Sequence, residues 1–163
     1  MNKAILLDRD GVVIKERGAY SYLTEHVEMV AGIFNALQVL ENHGYWLFIV
    51  TNQGGVAKGL YGHVDVQNIE AIIEQQLALY QIKIKDYFYC PHHDLYGRCL
   101  CRKPDSLMLE KAIAKYDLDP DESWYTGDMD TDVIAGKQAG LNALQVQPNA
   151  DLNGYLDQLN LKK

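Results

Sequence analysis

Apolar residues recur along this chain in two alternating rhythms, short unbroken runs and longer stretches at helical spacing. The runs at Ala4-Ile5-Leu6-Leu7, 45–50, Tyr87-Phe88-Tyr89, Trp124-Tyr125-Thr126 and 141–146 each read as a strand. Between them, Ile33, Phe34, Leu37 and Leu40 fall at helical spacing, with Gly44 beyond as a stop. Ile69, Ile72, Ile73 and Leu77 share one face of a helix over 64–79, and further helices fit 107–116 and 133–139. Residues 12–30 are mixed and polar-aromatic, more like a flap over a site than a regular element. Strands separated by helices predict an α/β fold, a doubly wound and mainly parallel sheet with helices on both faces. No repeat, low-complexity tract or linker interrupts the pattern, so residues 1–163 read as one domain.

In such a sheet the carboxyl ends of the strands share one edge, and ligands bind there. Polar clusters stand at three of those ends. The first run leads into Asp8-Arg9-Asp10-Gly11. Strand alternation puts Asp8 and Asp10 on one side and points Arg9 away. Two adjacent carboxylates repel unless a cation or a shared proton lies between them, which suits a divalent metal and carboxylate nucleophilic catalysis. The same residues also suit a plain turn. The second strand runs into Thr51-Asn52-Gln53-Gly54-Gly55, neutral donors of the kind that cradle a phosphate, or equally a helix cap. The fourth runs into Gly127-Asp128-Met129-Asp130-Thr131-Asp132. Val133 and Ala139 stand where a calcium hand needs glycine and glutamate, which excludes that motif. Asp128 is then expected to complete a Mg²⁺ site with Asp8, while Asp130 and Asp132 cap the next helix.

All three cysteines fall within twelve residues, in Cys90-Pro91-His92-His93 and Cys99-Leu100-Cys101. Cys90, His92, Cys99 and Cys101 supply four ligands suited to tetrahedral Zn²⁺, a closed and structural site, with His93 left over. Arg102 and Lys103 follow directly and are expected to bind phosphoryl oxygens. Positive charge stands out because the chain is acidic, with 22 Asp and Glu against 15 Lys and Arg. That balance disfavours nucleic acid and anionic membrane as partners. No apolar run spans a bilayer and no signal-peptide pattern opens the chain, so the expected location is the cytoplasm.

The ordered set DRDGVV, VTNQGG, CRKP and GDMDTD resembles the four motifs of the haloacid dehalogenase superfamily of phosphatases. The inserted cysteine–histidine loop is similar to that of the group holding the heptose-bisphosphate and histidinol-phosphate phosphatases. The resemblance covers the chain from Asp8 to about Val146 and implies a Mg²⁺-dependent phosphomonoesterase acting on a small phosphorylated metabolite. On that resemblance Asp8 is the nucleophile, Asp10 the general acid and base, and Thr51 and Lys103 the clamp on the transferring phosphoryl group. Asn52, Gln53, Gly54 and Arg102 would contact substrate, as would Glu16, Arg17 and Gly18 of the flap. Mg²⁺ would sit on Asp8, the Asp10 carbonyl and Asp128, and Zn²⁺ on Cys90, His92, Cys99 and Cys101. Heptose bisphosphate is the first substrate expected and histidinol phosphate the alternative; a catalytically silent phospholigand-binding module is the non-enzyme reading.

Two positions depart from the pattern. Val12 replaces a threonine, and Met129 stands where a Lys or Arg is usual, which removes one expected substrate contact. The forty residues between Asp10 and Thr51 leave no room for a large cap domain. A fairly open site in a monomer is expected, its specificity shaped by the zinc loop and the flap over 15–23.

Overall fold

The computed structural model describes residues 1–159 and 161. Five strands form one parallel sheet: β1 (Ala4–Leu7), β2 (Trp46–Asn52), β3 (Ile84–Cys90), β4 (Trp124–Gly127) and β5 (Asn142–Gln145), in the order β3-β2-β1-β4-β5. The helices are α1 (Ile33–Asn42), α2 (His63–Ala78), α3 (Leu107–Tyr116) and α4 (Asp130–Gln138).

Side-chain alternation splits the core in two. Ile5 and Leu7 of β1 and Leu47 and Ile49 of β2 face α1 and α2, where Leu37, Leu40, Ile69 and Ile73 are buried. Ala4, Leu6, Phe48 and Val50 face the other way, onto Met108 and Leu109 of α3 and Ala135 of α4. Period-two alternation through a central strand with apolar residues at every position forces a layer of helices on both faces. The doubly wound reading holds.

Strand order reverses beside β1, so the carboxyl ends of β1 and β4 adjoin at the switch point, where a crevice opens. The Asp8 N–H donates to the Thr126 carbonyl at 2.8 Å and ties those two ends together.

Three details differ from the sequence expectation. The stretch over 12–30 begins in the core, with Val12, Val13 and Ile14 buried. It returns through Lys15 N–H to Glu28 carbonyl and Val30 N–H to Val13 carbonyl bonds, so only the residues between form the flap, with a 3₁₀ turn at Thr24–His26. Helix α4 starts at Asp130, three residues before its first apolar position, because its opening turn is built from carboxylates that complement the dipole. A 3₁₀ helix at Leu152–Leu159, not expected, buries Leu152 and Leu159 against the α1 side.

Candidate active site

Asp8 and Asp10 lie just past the end of β1, in a turn, so strand alternation no longer governs their side chains. Arg9 corrects the expectation that it points away. It is 1 % exposed, its Nε donates to Asp10 Oδ2 at 2.9 Å, and its Nη2 donates to Asp10 Oδ1 at 3.2 Å and to the Ser21 carbonyl at 3.0 Å. A buried guanidinium requires such partners, and the flap supplies one of them.

Lys103 enters from the opposite side and is likewise buried. Its ammonium lies 3.0 Å from Asp8 Oδ1, 2.6 Å from Asp132 Oδ1 and 2.6 Å from the Tyr125 hydroxyl. Asn52 holds the Lys103 backbone at two points: its Nδ2 donates to the carbonyl at 3.1 Å and its Oδ1 accepts from the N–H at 3.0 Å. Asp128 completes the cluster. A Cβ on Gly11, whose φ is +88°, would come within 2.3 Å of Asp128 Oδ2, so only glycine fits that turn.

Carboxylate oxygens of Asp8, Asp128 and Asp132 all lie within 4.8 Å of one another. Three carboxylates against one ammonium leave two negative charges uncompensated. Burial, opposed by Lys103 and reinforced by Asp132 and Asp10, pushes the Asp8 carboxyl up to about 7. Burial and Asp132 push Asp128 up as well. The excess equals the charge of one divalent cation, and hard oxygen donors suit Mg²⁺.

Asp132 does more than the helix capping expected of it. One oxygen does cap, accepting from the Met129 N–H at 3.0 Å. The other accepts from Lys103, and Gly127 is required beneath it, since a Cβ there would meet Asp132 Cγ at 2.2 Å. The available signal was a third carboxylate in the opening turn of the helix that follows Asp128. Asp132→Asn is expected to lower kcat by about tenfold, because the amide oxygen holds the Lys103 ammonium less firmly than the carboxylate does. Unfolding should shift by less than about 5 °C, because the change also relieves carboxylate repulsion. Steady-state kinetics and a thermal melt check both.

The cluster floors a cavity of about 540 Å³ lined also by Thr51, Gln53, Arg102 and, from the flap, Glu16, Gly18 and Tyr20. That volume suits a small metabolite. Some expected substrate contacts have other roles. The Asn52 amide is engaged by Lys103. The Gln53 amide is buried and bonded to Asp10, Thr51 and Tyr61. Arg17 does not line the cavity, nor does Gly54, whose missing Cβ makes room for His93 and Arg102.

Cys90, His92, Cys99 and Cys101 converge where β3 ends. Their ligand atoms all lie within 4.8 Å, with Cys90–Cys99 at 3.7 Å, Cys90–Cys101 at 3.1 Å and His92 Nδ1–Cys101 at 3.2 Å. Tetrahedral thiolates about 2.3 Å from zinc stand roughly 3.7 Å apart, so the cage is compact enough for that ion. Burial pushes the Cys90 and Cys101 thiols up. For Cys99 the burial cost is outweighed by N–H donors, Arg102 first, and its thiol is held down. The Arg102 N–H donates to Cys99 Sγ at 3.3 Å and Arg102 Nη1 to the His92 carbonyl at 3.2 Å, so the loop leads rigidly into Lys103. No described helix is long and apolar enough to cross a membrane.

Residues 13–146 match the family model described as haloacid dehalogenase-like hydrolase. A D-glycero-alpha-D-manno-heptose-1,7-bisphosphate 7-phosphatase of Campylobacter jejuni is 41% identical over 142 residues, 87% of this chain and 80% of that protein. The beta-anomer 7-phosphatase of Haemophilus influenzae is 36% identical over 141 residues, 83% of this chain and 76% of that protein. The crystal structure of D,D-heptose 1,7-bisphosphate phosphatase from B. bronchiseptica, complexed with magnesium and phosphate, superposes with a TM-score of 0.84 at 30% identity. It covers 99% of this chain and 89% of that one. The chain belongs to the haloacid dehalogenase-like hydrolases, within their phosphatases. The matched span starts after Asp8 and Asp10.

Proposed function

We propose that this chain is a single catalytic domain over residues 1–163 that removes the 7-phosphate of D-glycero-D-manno-heptose 1,7-bisphosphate through an aspartyl phosphate on Asp8. The observation that carries the reading is the contact of Asp8 Oδ1 with Lys103 Nζ at 3.0 Å, beside Asp128, at the floor of the cavity. Oδ1 also accepts from the Arg9 N–H at 2.8 Å, so the attack on phosphorus is assigned to Oδ2. The names of the related enzymes support the choice of sugar.

In the first half-reaction Asp8 attacks phosphorus, and Asp10 gives its proton to the departing alkoxide oxygen. In the second, Asp10 takes a proton from water, the hydroxide attacks the aspartyl phosphate, and inorganic phosphate leaves as Asp8 is regenerated. Lys103 and the Thr51 hydroxyl hold the equatorial oxygens throughout. Mg²⁺ held by Asp8, Asp128 and the Asp10 carbonyl would neutralise charge on the phosphoryl oxygens. Zn²⁺ held by Cys90, His92, Cys99 and Cys101 would be structural, keeping Arg102 and Lys103 in place.

The short zinc loop, twelve residues from Cys90 to Cys101, favours histidinol phosphate as the second reading. Phosphate release from a panel of heptose 1,7-bisphosphate, histidinol phosphate and other sugar phosphates tests both. We expect the heptose bisphosphate to give the highest kcat/KM. Brief treatment with EDTA should abolish turnover, and added Mg²⁺ should restore it. Turnover unaffected by chelation contradicts the cation-balanced site.

A further inference from the structure

Gln53 was expected to touch substrate, yet its side chain is 2 % exposed and wholly engaged by the protein. Its Nε2 lies 3.2 Å from Asp10 Oδ2 and 2.9 Å from Thr51 Oγ1, and its Oε1 lies 2.6 Å from the Tyr61 hydroxyl. With Asp10 ionised, the state in which it serves as base, proton bookkeeping fixes every direction in this network. The Asp10 carboxylate needs donors, as its two bonds from Arg9 show, so the amide nitrogen must face it. The amide oxygen then faces Tyr61 and carries no proton, so the phenol must donate. Burial pushes that phenol up to about 12, so it keeps its proton at any working pH. The second amide hydrogen goes to Thr51 Oγ1. That oxygen is thereby an acceptor on the Gln53 side, and its own hydrogen is free to point into the cavity.

Removing the Tyr61 hydroxyl would undo this choice. The buried Oε1 would lose its partner, and a reversed amide would become competitive. In the reversed state the Gln53 oxygen meets the Asp10 carboxylate, and the Thr51 hydroxyl turns to donate to Gln53 instead of to substrate. We propose that Tyr61 and Gln53 are a pair of positioning residues that aim the Thr51 hydroxyl at the phosphoryl group and hold Asp10 for proton transfer.

Tyr61 is itself firmly placed. Its ring stacks on Tyr22 of the flap at 5.2 Å and 7°, and meets Tyr20 edge-on at 5.6 Å. A Cβ on Gly55 would come within 2.1 Å of the ring, so glycine is needed for it to fit. The flap therefore reaches the catalytic carboxylate by two routes, through Tyr61 and Gln53 and through the Ser21 carbonyl on Arg9. The proposal rests on the reading of Asp10 as the proton donor.

Tyr61→Phe removes that single oxygen and keeps the ring contacts. The test compares it with Asp10→Asn on the best sugar phosphate of the panel and on 4-nitrophenyl phosphate, whose leaving group departs without a proton. For Tyr61→Phe we expect leaving-group release from the sugar phosphate in the first turnover to slow about tenfold, with KM within about twofold. On nitrophenyl phosphate the fall should be about threefold, the share due to Thr51. The melting temperature should stay within about 3 °C. Gln53→Glu, which still accepts from Tyr61 but cannot donate to Asp10 or Thr51, should show a larger loss with the same substrate preference. If Tyr61→Phe matches the wild type, or loses equally on both substrates while Asp10→Asn does not, the relay is overturned. If Asp10→Asn itself slows leaving-group release in the first turnover equally on both, the reading of Asp10 falls and the relay with it.

Discussion

Asp8→Asn should lose at least about 10⁴-fold in kcat while folding normally. The amide is isosteric, still accepts from the Arg9 N–H and Lys103, and removes one of three mutually repelling carboxylates. It cannot attack phosphorus, so the loss falls on the chemical step and not on KM. The unfolding temperature should hold or rise, because burial and Asp132 work against the charged form of Asp8 in the native site. A thermal melt alongside a phosphate-release assay reads both signs. Wild-type-like turnover by this variant would exclude Asp8 as nucleophile.

The second large effect concerns the cysteine–histidine cage. Protein purified without chelator should hold about one Zn²⁺ per chain by elemental analysis, and that ion should survive the brief treatment that strips magnesium. Cys99→Ser should lower the melting temperature by on the order of 10 °C, since metal affinity is folding free energy for the loop it closes. Turnover should fall by about ten- to a hundredfold. The route is geometric: Cys99 accepts from the Arg102 N–H, Arg102 reaches back to the His92 carbonyl, and Lys103 follows at the floor of the cavity. Unchanged melting and unchanged turnover in Cys99→Ser would remove the structural role of zinc.

The sheet was legible because β1 and the stretch of β2 before Thr51 are apolar at every position, as a strand covered on both faces requires. The candidate ligands were legible because they are rare residue types in tight spacing or at strand ends. What stayed hidden was the work of side chains in bonding to each other. Asn52 and Gln53 read as free amides, and only the fold reveals that Lys103 and Tyr61 consume them. Arg9 read as outward-facing because alternation was extended two residues beyond β1 into a turn. Asp132 looked like an ordinary cap, and its second oxygen on Lys103 depends on a contact between α4 and a loop 29 positions earlier in the chain. Tyr61 carried no sequence signal at all, being one aromatic among eleven tyrosines.

The most direct test of the mechanism is to trap the covalent intermediate. Asp10→Asn lacks the base for the second half-reaction, while nitrophenyl phosphate needs no acid in the first, so phosphoenzyme should accumulate. Acid-quenched protein, digested and analysed by mass spectrometry, should carry one phosphoryl group on the peptide holding Asp8. Rapid release of nitrophenol without that label, or with the label on another residue, would contradict the account.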